Sequence, residues 1–543
     1  MDRFKLTVLT AAGFTLSICA NIDPVAGSLA FAQSADKRYA IVFRQSGSLP
    51  ADAERLVADA GGVITMLLPQ IGVVAATSDD PGFASVVAAD ARVEAVGEDG
   101  ELEVDTPAKE AVDQSAAEDH GLEEPTGTDP QPGTDNLYAQ QWDKMRMNVS
   151  LTGSYAVQRG RAEVVVAVLD SGIEADHPDI APNLDLARSR SFAVNPDNPA
   201  ELESVFDDFR GHGTYMASTI AAPINTMGIS GVAPGVTLVA LKVLDKNNRF
   251  SSLAHVASAL VYAAENRFDV ANMSFSTTLS RTEAENRGRI KVLQRALNFA
   301  RANGVTLVTA TGNGNVDLNE GRAVITVPAE LDGVIAASAT GYYDHKPPYS
   351  SYGMGKTDVA APGGDGRVTG CHGTPECGQT PIDHRGQPLF RGGGRILGAW
   401  SHLAISPISR NRPPVLECGT TGICAAGSDR ERACTAAAGC YYYGWTTGTS
   451  ISAAHASGVV ALIISQYGDF SNSDARKPRL PPASVEAILQ NAANNRSCPD
   501  PKVVVYAQPT QNRMSTCTGD AGYNSFFGKG IIDALKAVTI YND

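Results

Sequence analysis

The sequence lacks the marks of several functional classes. No Lys/Arg tract stands out, and 44 Lys+Arg against 59 Asp+Glu give a formal net charge of −15 at pH 7. That balance excludes nucleic acid or an anionic membrane as a main partner. No apolar stretch beyond the N-terminus is long enough for a transmembrane helix. CxxC pairs are absent, as is any such pair with a nearby His, which argues against zinc. Internal repeats are absent too, and aromatics make up only 6%. What is present is ordinary apolar content, 43%, enough for one or two sizeable cores.

The first residues read as an export address. Arg3 and Lys5 precede an apolar run from Leu6 to Ala20, too short to span a bilayer comfortably. Ala30-Phe31-Ala32 is a small-x-small cleavage site, with Ala20 as an earlier alternative, so residues 1–32 are expected to be a signal peptide. Leu16-Ser17-Ile18-Cys19 resembles a lipoprotein site only faintly, since Ile18 is bulky where a small residue is expected. A secreted, periplasmic or extracellular location follows. Of nine cysteines, Cys19 leaves with the signal, and an even set of eight in an exported chain reads as disulfides. Sequence does not fix connectivity. The simplest pairing joins neighbours: Cys371 with Cys377, Cys418 with Cys424, Cys434 with Cys440, Cys498 with Cys517.

Residues 33–104 hold a small unit in strand–helix–strand–strand–helix–strand order. Its strands are Tyr39–Phe43, Val63–Leu68, Ile71–Ala76 and Val93–Val96, and its helices are Ala51–Ala60 and Phe83–Ala91. From Glu98 to Asp135 acidic residues, Pro and Gly dominate, with Lys109 the only formal cation. Such a stretch cannot bury enough apolar surface to offset ordering entropy, and 105–135 is expected to be an exposed linker. From 136 to 543 apolar runs alternate with helical patterns. Glu163–Leu169 is a near-continuous β-branched run, followed by strands at Val236–Val243, Phe268–Phe275, Val305–Thr309 and Gly333–Ala339. Between them lie helices, one capped by Ser251 and one at Ile290–Ala302. The rhythm predicts an α/β domain with a mainly parallel sheet flanked by helices, where ligands bind beyond the carboxyl ends of the strands. It fails at about 364–443, a Gly-, Pro- and Arg-rich insertion holding six cysteines, read as an irregular loop stapled by disulfides.

The chemistry-bearing residues sit at those strand ends and helix starts. Asp170-Ser171-Gly172 ends the first long strand, and Gly211-His212-Gly213-Thr214 opens a helical run. Thr447-Gly448-Thr449-Ser450 leads into an apolar helix, and Val305–Thr309 runs into Ala310-Thr311-Gly312-Asn313. A serine hydroxyl needs a base within hydrogen-bond reach to become a nucleophile. Histidine titrates in the right range, and a buried carboxylate fixes its tautomer. Helix N-terminal N–H groups and the Asn313 amide suit a developing oxyanion. Singly, each motif has a bland reading as turn, loop or cap; their conjunction favours a nucleophilic site. His455, a turn beyond Ser450, reads as structural. Asp176, His177 and Asp179 read as a solvated loop in preference to a metal site.

These three motifs, in the order Asp, His, Ser, resemble the signatures of subtilisin-like serine proteases. Ala233-Pro234-Gly235, Ala361-Pro362-Gly363 and Gly528–Ala534 are similar to further family segments. The resemblance implies a serine endopeptidase with a triad of Asp170, His212 and Ser450 and with Asn313 in the oxyanion hole. It further implies substrate binding by Ser274, Phe275, Ser276, Ala310, Thr311 and Gly312. Polypeptides are the implied substrates, and 33–104 the inhibitory propeptide, an intramolecular partner removed during self-maturation. No cofactor is implied beyond structural calcium, with metal ligands unknown. Departures are Ala454 for a usual Pro, Tyr215-Met216 for His-Val, and Ser276 for a Gly at the pocket for the residue before the scissile bond. A silent relative serving as a scaffold would have lost a triad residue, and none is lost. A narrow processing protease remains an alternative, with Ser276 and the insertion as its specificity devices.

Overall fold

A computed structural model describes residues 37–104, 135, 137–321, 323–365, 394–404, 441–471, 478–506 and 513–541, with the backbone of 423–424, 430–435 and 439–440. The signal segment, nearly all of the linker, and Cys371, Cys377 and Cys418 lie outside the described residues.

The N-terminal unit follows the expected order. Its strands Lys37–Phe43, Val63–Leu68, Val73–Ser78 and Val93–Glu98 form one antiparallel sheet, with the first strand paired between the third and fourth. The helices Ala53–Asp59 and Phe83–Ala88 cover one face. Alternation in the first strand explains the packing: Tyr39, Ile41 and Phe43 join Val57, Phe83 and Val87 in a core of their own. Ala40 and Val42 face the other way, into the core of the larger domain.

That larger domain is built on a seven-stranded parallel sheet. Its order is Val359–Pro362, Ile335–Thr340, Thr306–Ala310, Val270–Met273, Val165–Asp170, Thr237–Lys242, Arg190–Ser191. The β-branched run of the central strand is buried throughout because helices cover both faces. Val166 and Val168 point to the helices His212–Ala221 and Thr449–Tyr467, and Val165, Ala167 and Leu169 to Leu253–Glu265 and Ala284–Ala302. Among the described residues, the one helix long and apolar enough to cross a membrane is Thr449–Tyr467, and it is buried in this core.

Four expectations are corrected. The insertion is not irregular where described: Ile396–Trp400, Ile423–Cys424, Arg430–Thr435 and Gly439–Thr446 form a four-stranded antiparallel sheet, with the aromatic run Tyr441-Tyr442-Tyr443 in its longest strand. The acidic stretch is ordered at both ends. Leu102–Glu103 pairs antiparallel with Arg249–Phe250, and Asp135 is buried, accepting from Asn225 N, Thr226 N and Ser230 Oγ. Ser252, not Ser251, caps the helix Leu253–Glu265, because its hydroxyl reaches His255 N while Ser251 Oγ accepts from Val194 N. His177 and Asp179 are buried, not solvated: Tyr443 donates to Asp179 Oδ2 at 2.8 Å, and burial pushes the Asp179 carboxyl up to about 8. Cys498 and Cys517 form a disulfide. Cys434 and Cys440 lie opposite each other in backbone register, with their side chains outside the described set.

Candidate functional site

Asp170 is the last residue of the central strand, fully buried at its carboxyl end. Its Oδ1 accepts from Ser171 N and lies 2.8 Å from His212 Nδ1. A carboxylate there requires Nδ1 to carry the proton, leaving Nε2 as the basic nitrogen. Burial alone would lower the His212 pKa, but the charge and hydrogen bond of Asp170, helped by Asp208, outweigh it and hold it above the ordinary value.

The start of the histidine helix is fixed by a residue that the sequence reading missed. Asp208 is buried and accepts from Gly211 N, Thr214 N, Thr214 Oγ1 and Ser171 Oγ at 2.7–2.9 Å. Its carboxylate therefore satisfies orphan donors of the first turn and joins that turn to the loop after Asp170. An Asp four residues before a His that opens a helix was the available signal. Gly211 has φ +75°, and a Cβ there would lie 2.9 Å from the Trp400 ring, so this position needs glycine on two counts.

Ser450 stands in the first turn of the helix Thr449–Tyr467 and is 5% exposed. Its carbonyl accepts from Ser274 Oγ at 2.8 Å. Asn313 lies in the turn after the strand Thr306–Ala310, and its Oδ1 accepts from Thr449 N at 2.9 Å and Thr449 Oγ1 at 3.0 Å. A backbone N–H can only donate, so the amide oxygen faces the serine helix and Nδ2 remains a donor beside it. Ser276 and Gly312 face each other: a Cβ on Gly312 would lie 3.1 Å from Ser276 Oγ. Phe275 turns its ring into the core, edge-on to Phe250 with centroids 4.8 Å apart, and Thr311 Oγ1 donates to Ser351 O. Of this group, the Phe275 ring and the Thr311 hydroxyl are thus engaged within the protein. The structure thus brings Asp170 to His212, and Asn313 and Ser274 to the first turn of the serine helix. His455 lies buried lower on that helix.

As to metals, among the described residues Glu174, Asp176 and His402 gather ligand-type atoms within 4.8 Å. Glu174, however, accepts from both His402 N and His402 Nδ1, at 2.8 and 2.5 Å. Its oxygens are occupied by donors, and the trio does not fit a calcium shell of free oxygen ligands.

The chain is similar to known proteins in sequence and in fold. The model of the "Subtilase family" matches residues 161–530. A thermostable alkaline protease of Halalkalibacterium halodurans is 37% identical over 198 residues, 36% of this chain and 47% of that protein. Subtilisin E of Bacillus subtilis is 26% identical over 365 residues, 67% of this chain and 81% of that one. The matched stretch thus spans about half the length of the first of these relatives. In fold, the epidermin leader peptide processing serine protease of Staphylococcus aureus superposes with a TM-score of 0.64 at 19% identity, covering 94% of this chain and 99% of that one. Fervidolysin from Fervidobacterium pennivorans gives 0.58 at 18% identity, covering 93% and 61%. With more than half of its length matched by the family model, and with the parallel sheet flanked by helices expected of it, the chain belongs to the subtilase family.

Proposed function

We propose that this chain is an exported serine endopeptidase that hydrolyses polypeptides through Asp170, His212 and Ser450. The observation that carries the reading is the hydrogen bond that His212 Nδ1 donates to buried Asp170, at the strand end beside the serine helix. In this mechanism Nε2 takes the proton from Ser450 Oγ as it attacks the scissile carbonyl, and Asp170 stabilises the resulting imidazolium. Asn313 Nδ2 and the N-terminal N–H groups of the serine helix receive the oxyanion. The tetrahedral intermediate then collapses to the acyl-enzyme as the scissile C–N bond breaks and the imidazolium gives its Nε2 proton to the departing amine; water hydrolyses the ester with the same imidazole as base, and Ser450 Oγ regains its proton. No organic cofactor enters these steps.

We further infer that the N-terminal unit is an intramolecular inhibitor. Asp99 caps the helix Leu253–Glu265 by accepting from Leu253 N and Ala254 N at 3.0 and 2.9 Å. Glu94 pairs with Lys291 and Arg295 on the helix Ala284–Ala302. Beyond Asp99, Leu102–Glu103 adds a strand edge to edge with Arg249–Phe250, and Thr277 Oγ1 donates to Glu103 O. That is how an extended peptide binds a sheet edge, and the bond to Thr277 sets Glu103 beside the residue that follows Ser276. Self-maturation then cuts after this strand. A gel of the wild-type chain beside Ser450→Ala tests the reading: the wild type shortens and the variant stays at precursor length. A variant that shortens at the same rate in the absence of other proteases refutes self-cleavage.

A further inference from the structure

Below Ser450 lies a cluster that the peptidase chemistry leaves unused. Asp143 and Lys144, on the short helix Trp142–Arg146, and His455, on the serine helix, are at most 1% exposed. Lys144 Nζ stands 3.0 Å from Asp143 Oδ2 and 3.0 Å from His455 Nε2, and His455 Nε2 stands 2.9 Å from Asp143 Oδ2. The other ring nitrogen, Nδ1, is 2.8 Å from Pro362 O. A carbonyl only accepts, so Nδ1 carries a proton and Nε2 of the neutral ring is an acceptor. The Lys144 ammonium then bridges, donating to both Nε2 and the carboxylate. Two bases share one carboxylate and one excess proton.

Such a cluster is a poor source of stability. Desolvating the charges offsets most of their attraction, and Asp143 Oδ1 is buried with no hydrogen-bond partner among the described residues. What it supplies is register. The serine helix is buried from Thr449 to Ser465, and because apolar contact is non-directional, polar contacts add a directional constraint on its register. Such contacts lie at the end of the strand Val359–Pro362: Ser452 Oγ donates to Ala361 O, His455 Nδ1 to Pro362 O, and Gly448 N to Gly363 O. His455 also reaches a second element through Nε2, where Asp143 and Lys144 hold it. That element is itself anchored, with Trp142 Nε1 donating to Arg395 O and Ala534 N to Met147 O.

We propose that Asp143 and Lys144 are positioning residues for Ser450: they fix His455, and His455 fixes the rotation and height of the helix whose first turn carries the nucleophile. This rests on the reading of Ser450 as nucleophile. A displacement of about 1 Å at a reacting centre is worth about 100-fold in rate. In the full chain, Lys144→Met is therefore expected to lower kcat on a fluorogenic peptide about 10- to 100-fold, with KM changed less than about twofold. It also removes a titration. Burial lowers the Lys144 pKa from its ordinary value, more than Asp143 raises it. Burial pushes Asp143 up, but the charge and hydrogen bond of Lys144 outweigh it and hold the carboxyl at about 2, and burial together with the Lys144 charge lowers His455. The phenols facing the cluster, Tyr138, Tyr155 and Tyr215, are all pushed up by burial and stay neutral. An alkaline limb of kcat below the ordinary lysine range is thus expected in the wild type and lost in Lys144→Met. Unchanged kcat with an unchanged limb overturns the proposal, and so does a rise in KM alone. If Lys144→Met melts below the assay temperature, Asp143→Asn/Lys144→Met, which removes both charges together, carries the same test: a kcat loss supports the proposal and wild-type kcat overturns it. A wild type that a fluorophosphonate does not label at Ser450 refutes the nucleophile assignment and the proposal with it. A labelled wild type with an unaffected variant refutes the proposal alone.

Discussion

Gly97 offers a separation of the inhibitor's fold from its docking. It lies in the strand Val93–Glu98 of the N-terminal unit, and a Cβ there would stand 2.7 Å from Glu285 Cα and 2.8 Å from Glu285 O. Both are backbone atoms of the helix Ala284–Ala302, so no side chain can swing aside. Carbon atoms rest at about 3.5–4.0 Å, and Gly97→Ala therefore drives the two surfaces apart by roughly 1 Å. Gly97 is not among the positive-φ glycines, so alanine fits the unit's own strand and the core around Ile41 and Phe83 is untouched. Overpacking of this kind costs about 1–3 kcal/mol, which is about 5- to 150-fold in affinity. The bonds of Asp99 to Leu253 N and Ala254 N lie two residues along the same strand end and stretch with it. The assay is inhibition of the mature enzyme by a separately expressed 33–104 segment, with melting of the free segment as control. The expected result is a Ki raised within that range and a melting temperature unchanged or slightly raised. A Ki unchanged within about twofold would show that this interface is not the inhibitory one.

Two further outcomes follow from charge and covalent linkage. The His212 pKa is raised by Asp170 and Asp208 over the opposing effect of burial, so the acid limb of kcat/KM is expected above about 6.5. The sign is fixed by linkage: the imidazolium is favoured in the fold, and its stabilising contribution is full below about 6.5 and lost as pH rises through the raised value. Over that same interval the basic form needed for catalysis appears; a limb at or below 6.5 contradicts the Asp170 coupling. Replacing Cys498 and Cys517 by serine opens a loop of sequence separation 19 and is expected to cost about 3 kcal/mol. Denaturant unfolding measures this, and a change under about 1 kcal/mol would refute it.

Much of this architecture was legible in the sequence because period and chemistry agree. The run before Asp170 is β-branched and ends in a turn, and Ser450 and His212 each open a helix of small residues, so strand ends and helix starts were visible without coordinates. The N-terminal unit was legible for the same reason, with strand bounds shifted by about two residues at Ile71, where a three-residue 3-10 turn ending in left-handed Gly72 delays the strand to Val73. What escaped was long-range. Asp208 reads as one acid among several until the fold places it under the histidine helix. Asp143 and Lys144 belong to no motif in the sequence, and their partner His455 lies 312 positions away from Asp143. Composition also misled in the insertion, where glycine, proline and arginine masked the strands Ile396–Trp400 and Gly439–Thr446.

The most direct test of the central claim is covalent labelling of the mature chain by a fluorophosphonate, with the modified residue mapped by peptide mass. The account predicts one modified serine, Ser450, with labelling abolished in Ser450→Ala and strongly slowed in His212→Ala. Labelling elsewhere, or a mature wild type that stays unlabelled while folded, would contradict it.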